Sequence, residues 1–288
     1  MEFTQPITDL IRSRTSWRTY KSQPLGSREE EKIIKFIEHL GNKTPFVEFE
    51  PNARFQIFHI LETDPKEKKM YGTYGFIQGA NSFLVGSAKR TEFAWEHYGY
   101  LFEKIILYAT DMGLGTCWLG GTFNRSVFAE KISLGNDEFL PAISPIGYPE
   151  ERRIKERVIR AAIRAKKRKT WEELFFITDF STSLSEQDAG EYALPLEMVR
   201  LGPSASNRQP WRIIKDQNTN TFHFYVVQSN DSTGKGYNKM RRLDIGIAVC
   251  HFDLTVKDLQ LMGSWQWIEE CPKNIANYQY TISWVHKS

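Results

Sequence analysis

The nine residues 203–211 read Pro-Ser-Ala-Ser-Asn-Arg-Gln-Pro-Trp. Their small side chains would let a flat ligand approach the main chain closely. Hydroxyl groups, amide side chains and main-chain N–H groups supply hydrogen-bond donors and acceptors along one edge. Such an edge suits a planar heterocycle with alternating donors and acceptors. Taken alone, the same composition is also typical of a surface turn bounded by proline, and the rest of the chain has to decide between the two interpretations.

Length and composition indicate a globular protein with a sizeable core. The chain has 288 residues, is 41% hydrophobic and 25% charged, and is long enough for one large domain or two ordinary ones. A net charge of +3 is too small to argue for nucleic-acid binding. Ten of its basic residues lie within residues 152–169, where a solvated helix face or a nucleic-acid arm would fit, but no nucleic-acid-binding motif accompanies the run. We expect a small-molecule substrate and no nucleic-acid partner.

The cysteines and the N-terminus point to the cytoplasm. Cys117, Cys250 and Cys271 are odd in number and far apart, which favours reduced thiols over a disulfide framework. No Cys or His pair has zinc-ligand spacing, so we expect no metal. The polar N-terminus lacks the apolar core of a signal peptide, and no run of about 18 apolar residues is present. We therefore expect a cytoplasmic protein without a membrane span.

Hydrophobic periodicity predicts helices and strands in a repeated order. Ser27 is expected to cap the second helix and Gly41 to close it. The predicted helices are 7–11, 28–40, 93–112, 194–201 and 243–261, and the predicted strands are 54–60, 80–86, 142–147 and 221–227.

The two longest helices share a spacing. Gly99 and Trp118 are 19 residues apart (118 − 99), and so are Gly246 and Trp265 (265 − 246). Together with the repeated order of elements, this predicts an internal duplication with a seam near residues 178–190. We expect halves at residues 1–180 and 181–288.

Four segments together resemble the nitroreductase family of flavoenzymes. They are a basic segment Arg-Thr-Ser-Trp-Arg-Thr-Tyr at 14–20, a glycine-rich segment Gly-Leu-Gly-Thr-Cys-Trp-Leu-Gly-Gly at 113–121, Ser-Pro-Ile-Gly-Tyr-Pro at 144–149 before the basic run, and the segment at 203–211. The glycine-rich segment follows a predicted helix and not a strand, which argues against a dinucleotide-binding loop. The resemblance implies an α+β fold with a central, largely antiparallel sheet wrapped by helices.

The order of these segments departs from that of ordinary family members, which are homodimers with a flavin at the interface. Here the basic and glycine-rich segments occur in the first half, and the Asn-Gln-Pro-Trp segment occurs only in the second. The second half has a degraded glycine-rich turn around Met262–Trp265. The chain therefore resembles such a dimer fused into one polypeptide, with one flavin site kept, and a monomer becomes plausible.

The resemblance assigns cofactor contacts to individual residues. Arg14 and Arg18 would lie on one side if their stretch were helical, and arginine holds phosphate by bidentate hydrogen bonds. Thr15 stands where the family has a second arginine, and Ser16 could bond the ribityl or phosphate oxygens. Gly120 and Gly121 would let main-chain N–H groups approach the reactive flavin nitrogen. The full set is Arg14, Thr15, Ser16, Arg18, Leu119, Gly120, Gly121, Lys166, Arg168, Pro203, Ser204, Ala205, Ser206, Asn207 and Gln209.

The resemblance also implies an activity. We expect an FMN-dependent oxidoreductase that takes a hydride from NADH or NADPH and reduces a second substrate such as a nitroaromatic or a quinone. No side chain needs to act as acid or base in the hydride step, so we name no catalytic residue. Two alternatives stay open: a flavin-binding storage or sensor protein with little turnover, and a dehalogenating or flavin-cleaving relative.

Overall fold

The computed structural model describes residues 3–60, 76–151, 157–158, 161, 164, 167–228, 235–269, 274–275 and 277–287, with main chain only at 235–237 and 274–275. The chain forms two compact units. The first comprises Met1–Gln5 and Ser13–Ala165, and the second comprises Pro6–Arg12 and Lys166–Ser288. The halves expected from the duplication, residues 1–180 and 181–288, stay a prediction.

The first unit is built on a five-stranded antiparallel sheet. Its strand order is β1-β2-β5-β3, with β4 paired to β2. The elements are α2 (Ser27–Leu40), a 3-10 turn (Val47–Phe49), β1 (Ala53–His59), β2 (Ser82–Lys89), α3 (Ala94–Asp111), β3 (Gly115–Thr116), α4 (Arg125–Lys131), β4 (Glu138–Phe139) and β5 (Ile143–Gly147). The preceding helix α1 (Ile7–Ser13) has residues 7–12 in the second unit.

The second unit is built on a six-stranded sheet. Its strand order is β10-β11-β8-β7-β6, with β9 paired to β11, and only the β6–β7 pair among the described strands is parallel. The elements are β6 (Phe175–Ile177), α5 (Glu186–Ala189), a 3-10 turn (Gly190–Tyr192), α6 (Ala193–Arg200), a 3-10 turn (Ala205–Asn207), β7 (Trp211–Lys215), β8 (Thr221–Val227), α7 (Lys235–Asp258), β9 (Gly263–Gln266), β10 (Asn274–Ile275) and β11 (Tyr278–His286).

Each unit packs aromatic side chains from its sheet against its long helix. In the first unit, the rings of Phe55 on β1 and Phe102 on α3 stack with centroids 5.7 Å apart. In the second, Phe252 on α7 makes edge contacts with Phe224 at 5.3 Å and with Trp265 at 5.7 Å. Fully burying one such side chain stabilises a fold by about 1.5–3 kcal/mol, so these rings fix each long helix on its sheet.

The α+β class and the mainly antiparallel pairing are confirmed, although the strands form one sheet in each unit and not a single central sheet. The strand at Thr221–Val227 has the predicted bounds, and the other predicted elements are present with shifted ends. Ser27 is not the cap of α2, because Gly26 occupies that position and no side chain caps the helix. The predicted helix 243–261 begins earlier, at Lys235, and ends at Asp258.

The described residues contain neither a candidate membrane span nor a candidate metal-binding cluster. Within that part of the chain, no helix is both long and apolar enough to cross a membrane. The same residues contain no group of three His, Cys, Asp or Glu side chains that could hold a metal ion. Cys117 and Cys250 are buried thiols that form no disulfide within the described residues, and Cys271 lies outside that part of the chain.

Candidate functional site

The basic segment at 14–20 is extended. Helix α1 ends at Ser13, so the helical arrangement considered for Arg14 and Arg18 is wrong. Trp17 N donates to Thr116 O at 2.8 Å, which lays the segment along β3. In an extended chain, residues two and four apart return to the same side, so Arg14 and Arg18 can still share a side for this different reason.

Arg14 belongs to a buried ion pair in the first unit. Its Nε lies 3.5 Å from Glu103 Oε1, and the exposed fractions of the two side chains are 6% and 0%. The other carboxylate oxygen of Glu103 accepts from Trp118 Nε1 at 2.6 Å. One carboxylate on α3 therefore holds both the basic segment and the tryptophan that precedes Leu119–Gly121.

The glycine-rich segment has a fixed main chain and one open side. Leu119 and Ile143 exchange two main-chain hydrogen bonds, at 2.9 and 3.0 Å. Gly120 O accepts from Arg125 Nη2 at 2.8 Å. A Cβ placed on Gly121 would meet no heavy atom within 4 Å. A flat ligand could therefore approach the main chain here without displacing protein atoms.

Arg125 anchors this segment. Besides Gly120 O, it donates to Leu140 O at 3.0 Å and to Pro141 O at 3.2 Å, and its guanidinium lies 5.0 Å from the centre of the Phe123 ring. Burial among these uncharged groups lowers the pKa of Arg125. Because its guanidinium donates to three carbonyl oxygens from two loops, Arg125 fixes the positions of those loops relative to each other.

The segment at 203–209 is strained and held by side chains. Ser206, Asn207 and Gln209 have φ values of 52°, 55° and 49°, in the left-handed region that non-glycine residues rarely adopt. Gln209 N donates to Ser204 Oγ at 2.8 Å. Ala205 N donates inward, at 3.0 and 3.1 Å, to the two carboxylate oxygens of Asp244 on α7, which is 2% exposed. Strain of this kind persists only where neighbouring groups impose it, and it concentrates at ligand sites.

The amides of Asn207 and Gln209 hold the end of the basic run. Asn207 Nδ2 donates to Lys167 O at 2.8 Å, and Asn207 Oδ1 accepts from Arg168 Nη1 at 3.3 Å. Lys169 N donates to Gln209 Oε1 at 2.8 Å. The second unit thus brings Arg168 beside the Asn/Gln segment, whereas Lys166 lies outside the described residues.

The expected contact residues therefore form separate groups within the units. Arg14, Thr15, Ser16, Arg18, Leu119, Gly120 and Gly121 lie in the first unit, and Arg168, Pro203, Ser204, Ala205, Ser206, Asn207 and Gln209 lie in the second. Sequence reasoning missed the three residues that orient these groups, Glu103, Arg125 and Asp244. Glu103 and Asp244 could have been identified from the sequence, because an acidic residue inside an apolar helical run is buried only when it is paired.

The fold and these segments define a nitroreductase-like α+β protein. The family profile described as "Putative TM nitroreductase" matches residues 6–256, and the chain belongs to this family. A solved structure described as a putative nitroreductase from Thermotoga maritima has a TM-score of 0.61 and 22% identity, over 99% of this chain and 96% of that one. At that identity the likeness shows the fold alone.

Other solved structures match about half of the chain. A putative NADH oxidase from Clostridium acetobutylicum has a TM-score of 0.41 and 22% identity, over 50% of this chain and 89% of its own. A putative nitroreductase in complex with FMN from Desulfovibrio desulfuricans has a TM-score of 0.41 and 21% identity, over 53% of this chain and 94% of its own. No curated protein matches the chain.

Proposed function

We propose that the protein is an FMN-dependent oxidoreductase that takes a hydride from NADH or NADPH and passes electrons to a second substrate such as a nitroaromatic or a quinone. The observation that carries this proposal is the strained segment at 203–209, in a chain whose family is that of nitroreductases. Three left-handed residues in four positions would be selected against in an ordinary turn, because each costs about 1–3 kcal/mol. A cytoplasmic location is part of the same proposal.

The described residues fit FMN in both units. In the first, the open side of Gly121 leaves room for a ring system beside a fixed main chain. In the second, the segment at 203–209 presents small side chains, and Arg168 supplies a guanidinium next to it. When bound, FMN would supply the ring nitrogen that accepts the hydride, so the protein's part is to bind and orient.

The resemblance assigns the phosphate to the arginines and to Lys166. Arg14 already forms an ion pair with Glu103, at 3.5 Å between Nε and Oε1. Arg14 is a poor choice for a binding test, because removing it would also leave Glu103 buried without its cation. The binding test therefore uses Arg18, the other arginine of the basic segment.

Reconstitution with FMN tests the cofactor. The protein should take up FMN, and heat should release a compound that comigrates with FMN. Recovery of FAD, or no uptake of flavin, would refute the proposal. Arg18→Ala should weaken FMN binding about ten- to a hundredfold, the value of a charge-assisted hydrogen bond. Lys35→Ala removes an equal charge from the exposed face of α2 and should leave FMN binding unchanged.

Anaerobic mixing with NADH and with NADPH tests the reaction. Rapid bleaching of the flavin absorbance, followed by its recovery on adding a quinone or a nitroaromatic, is the expected result. Flavin that stays oxidised with both nicotinamides would favour the alternative of a binding protein with little turnover.

We further propose that the chain is an internal duplication that binds one FMN as a monomer. Two observations support the duplication. The strand order β1-β2-β5-β3 of the first unit has a counterpart in the order β7-β8-β11-β9 of the second. In both units a buried carboxylate on the long helix accepts from the indole of a later tryptophan, Glu103 from Trp118 and Asp253 from Trp265, with the two carboxylates about one helical turn apart when the tryptophans are aligned. A titration that saturates at one FMN per chain is expected, and two per chain would refute the single site.

A further inference from the structure

We propose that Asp244 is a positioning residue that holds the segment at 203–209 in its ligand-binding conformation. This inference rests on the proposed FMN-binding function. It assigns to Asp244 no contact with the cofactor. Its role is to fix the main chain of Ala205, from which the left-handed residues follow.

The contact joins a rigid element to a strained one. Asp244 lies on the long helix α7 and is 2% exposed. Both of its carboxylate oxygens lie within hydrogen-bond distance of Ala205 N, at 3.0 and 3.1 Å. The next residue along the segment, Ser206, already has a φ of 52°. The hydrogen bond is therefore placed at the point where the chain enters its left-handed stretch.

The segment also has hydrogen bonds within itself, to the end of the basic run and to β7. Ser204 Oγ accepts from Gln209 N within the segment, Gln209 Oε1 accepts from Lys169 N, and Gln209 O accepts from Arg212 Nη1 at 3.1 Å. The bond to β7 is made at the end of the left-handed stretch, whereas Asp244 holds the segment at Ala205, before that stretch begins. Asp244 supplies a tie to a helix, and a helix packed on a sheet keeps its place. Without it, part of the free energy of binding would be used to order the segment.

The environment of Asp244 suggests a conservative variant. Burial raises the pKa of Asp244 to about 8, opposed by the hydrogen bond from Ala205 and by the nearby charge of Arg241. Near neutral pH the carboxyl is therefore mostly protonated and accepts through its carbonyl oxygen. An asparagine side chain has the same shape and also offers a carbonyl oxygen, so Asp244→Asn preserves the acceptor.

Asp253 provides a matched control on the same helix. It is 1% exposed, accepts from Trp265 Nε1 at 2.8 Å and pairs with Lys257 Nζ at 2.6 Å. Asp253→Ala thus also deletes a buried, hydrogen-bonded carboxylate from α7. It leaves the segment at 203–209 untouched.

The experiment titrates FMN into the wild-type protein, Asp244→Ala, Asp244→Asn and Asp253→Ala, following the quenching of FMN fluorescence, with circular dichroism to verify folding. Asp244→Ala should bind FMN about five- to tenfold more weakly, the upper part of the range for one lost hydrogen bond to a neutral carboxyl. Asp244→Asn should recover affinity to within about threefold of wild type. Asp253→Ala should bind FMN as the wild type does.

Other results overturn the inference. Wild-type affinity in folded Asp244→Ala, an equal loss in Asp253→Ala, or an equal loss in Asp244→Asn would each show that the acceptor does not position the segment. Should Asp244→Ala not fold, Asp244→Ser takes its place, because serine is polar but too short to reach Ala205 N, and the same comparisons apply. A wild-type protein that binds no FMN would refute the proposed function and this inference together, whereas a wild type that binds FMN with insensitive variants would refute the inference alone.

Discussion

Replacing Asp244 by asparagine should make the protein's stability less dependent on pH. Asp244 is buried on α7, and burial raises its pKa from the ordinary value of 3.8 to about 8. Between these two values the folded state binds a proton that the unfolded state does not. This extra proton affinity of Asp244 makes its contribution to the stability of the folded state depend on pH. The contribution is fully present below pH 3.8 and is lost progressively as the pH rises through about 8.

The size of the effect follows from linkage. Within this window the wild-type protein should lose about 1.4 kcal/mol of unfolding free energy per pH unit from this one group. The asparagine side chain of the Asp244→Asn variant cannot titrate, so the variant lacks that loss. Because all other titrating groups are shared, the difference between the two proteins should change by about 2.7 kcal/mol from pH 5 to pH 7 in favour of the variant.

Urea unfolding at pH 5, 6 and 7 measures this difference. Tryptophan fluorescence and far-ultraviolet circular dichroism should be recorded together, since a chain with two compact units can unfold in more than one step. A stability difference that stays constant from pH 5 to pH 7 would refute the raised pKa. It would show that Asp244 is ionised in the folded protein and that the hydrogen bond from Ala205, together with the charge of Arg241, outweighs burial.

Three further substitutions, the first paired with a control at an exposed position, probe contacts within the units by three different measurements. Leu10→Ala should cost about 2–5 kcal/mol in urea unfolding because Leu10 is fully buried, whereas Ile34→Ala, at a position 40% exposed, should change stability by less than about 0.5 kcal/mol. Glu103→Leu should cost about 3–5 kcal/mol in thermal unfolding at pH 7, because it leaves Arg14 buried without its carboxylate, and a cost below about 1 kcal/mol would contradict the ion pair. Arg125→Met should speed hydrogen exchange at residues 119–121, since Gly120 O loses its donor, and unchanged exchange would contradict the anchoring role.

The elements that the sequence predicted correctly are those in which the pattern of buried residues lies within the element itself. Thr221–Val227 begins with alternating polar and apolar residues and continues in a run of β-forming residues, and its predicted bounds are those of β8. The helix predicted at 93–112 differs from α3 by only its end residues, because its apolar face is continuous. In such elements the residues that specify the conformation are the residues that adopt it.

The extended conformation of residues 14–20 could not be predicted from the pattern of the segment's own residues. Its hydrogen bonds go to Thr116 and Gln78, which are remote in sequence. Nothing in the spacing of Arg14 and Arg18 distinguishes a helix from an extended chain, since both return residues four apart to one side. The segment is extended because β3 and the residue at 78 offer main-chain groups to it.

The buried carboxylates were missed for a related reason. Glu103 follows Leu101 and Phe102, and Asp244 follows Leu243, so each interrupts an apolar run and could have been flagged as a buried acid. Their partners, Trp118 and Ala205, are separated from them by 15 and 39 residues. Sequence alone therefore indicates that such an acid needs a partner but does not identify the partner.

The two carboxylate–indole pairs differ in the cation that accompanies them, and this difference bears on the single-site proposal. In the first unit the cation is Arg14, whose side chain is 6% exposed and which reaches Glu103 only because the basic segment lies along β3. In the second unit it is Lys257, four residues after Asp253 on the same helix and 64% exposed.

A lysine on the same helix requires nothing from the rest of the chain, so the second unit can neutralise its buried carboxylate without any basic segment. In the first unit the described cation beside Glu103 comes from the basic segment, and a buried glutamate deprived of its arginine would be strongly destabilising. Under the proposed duplication, the fold of the second unit would therefore tolerate the loss of a basic segment, which is the asymmetry that one retained flavin site requires.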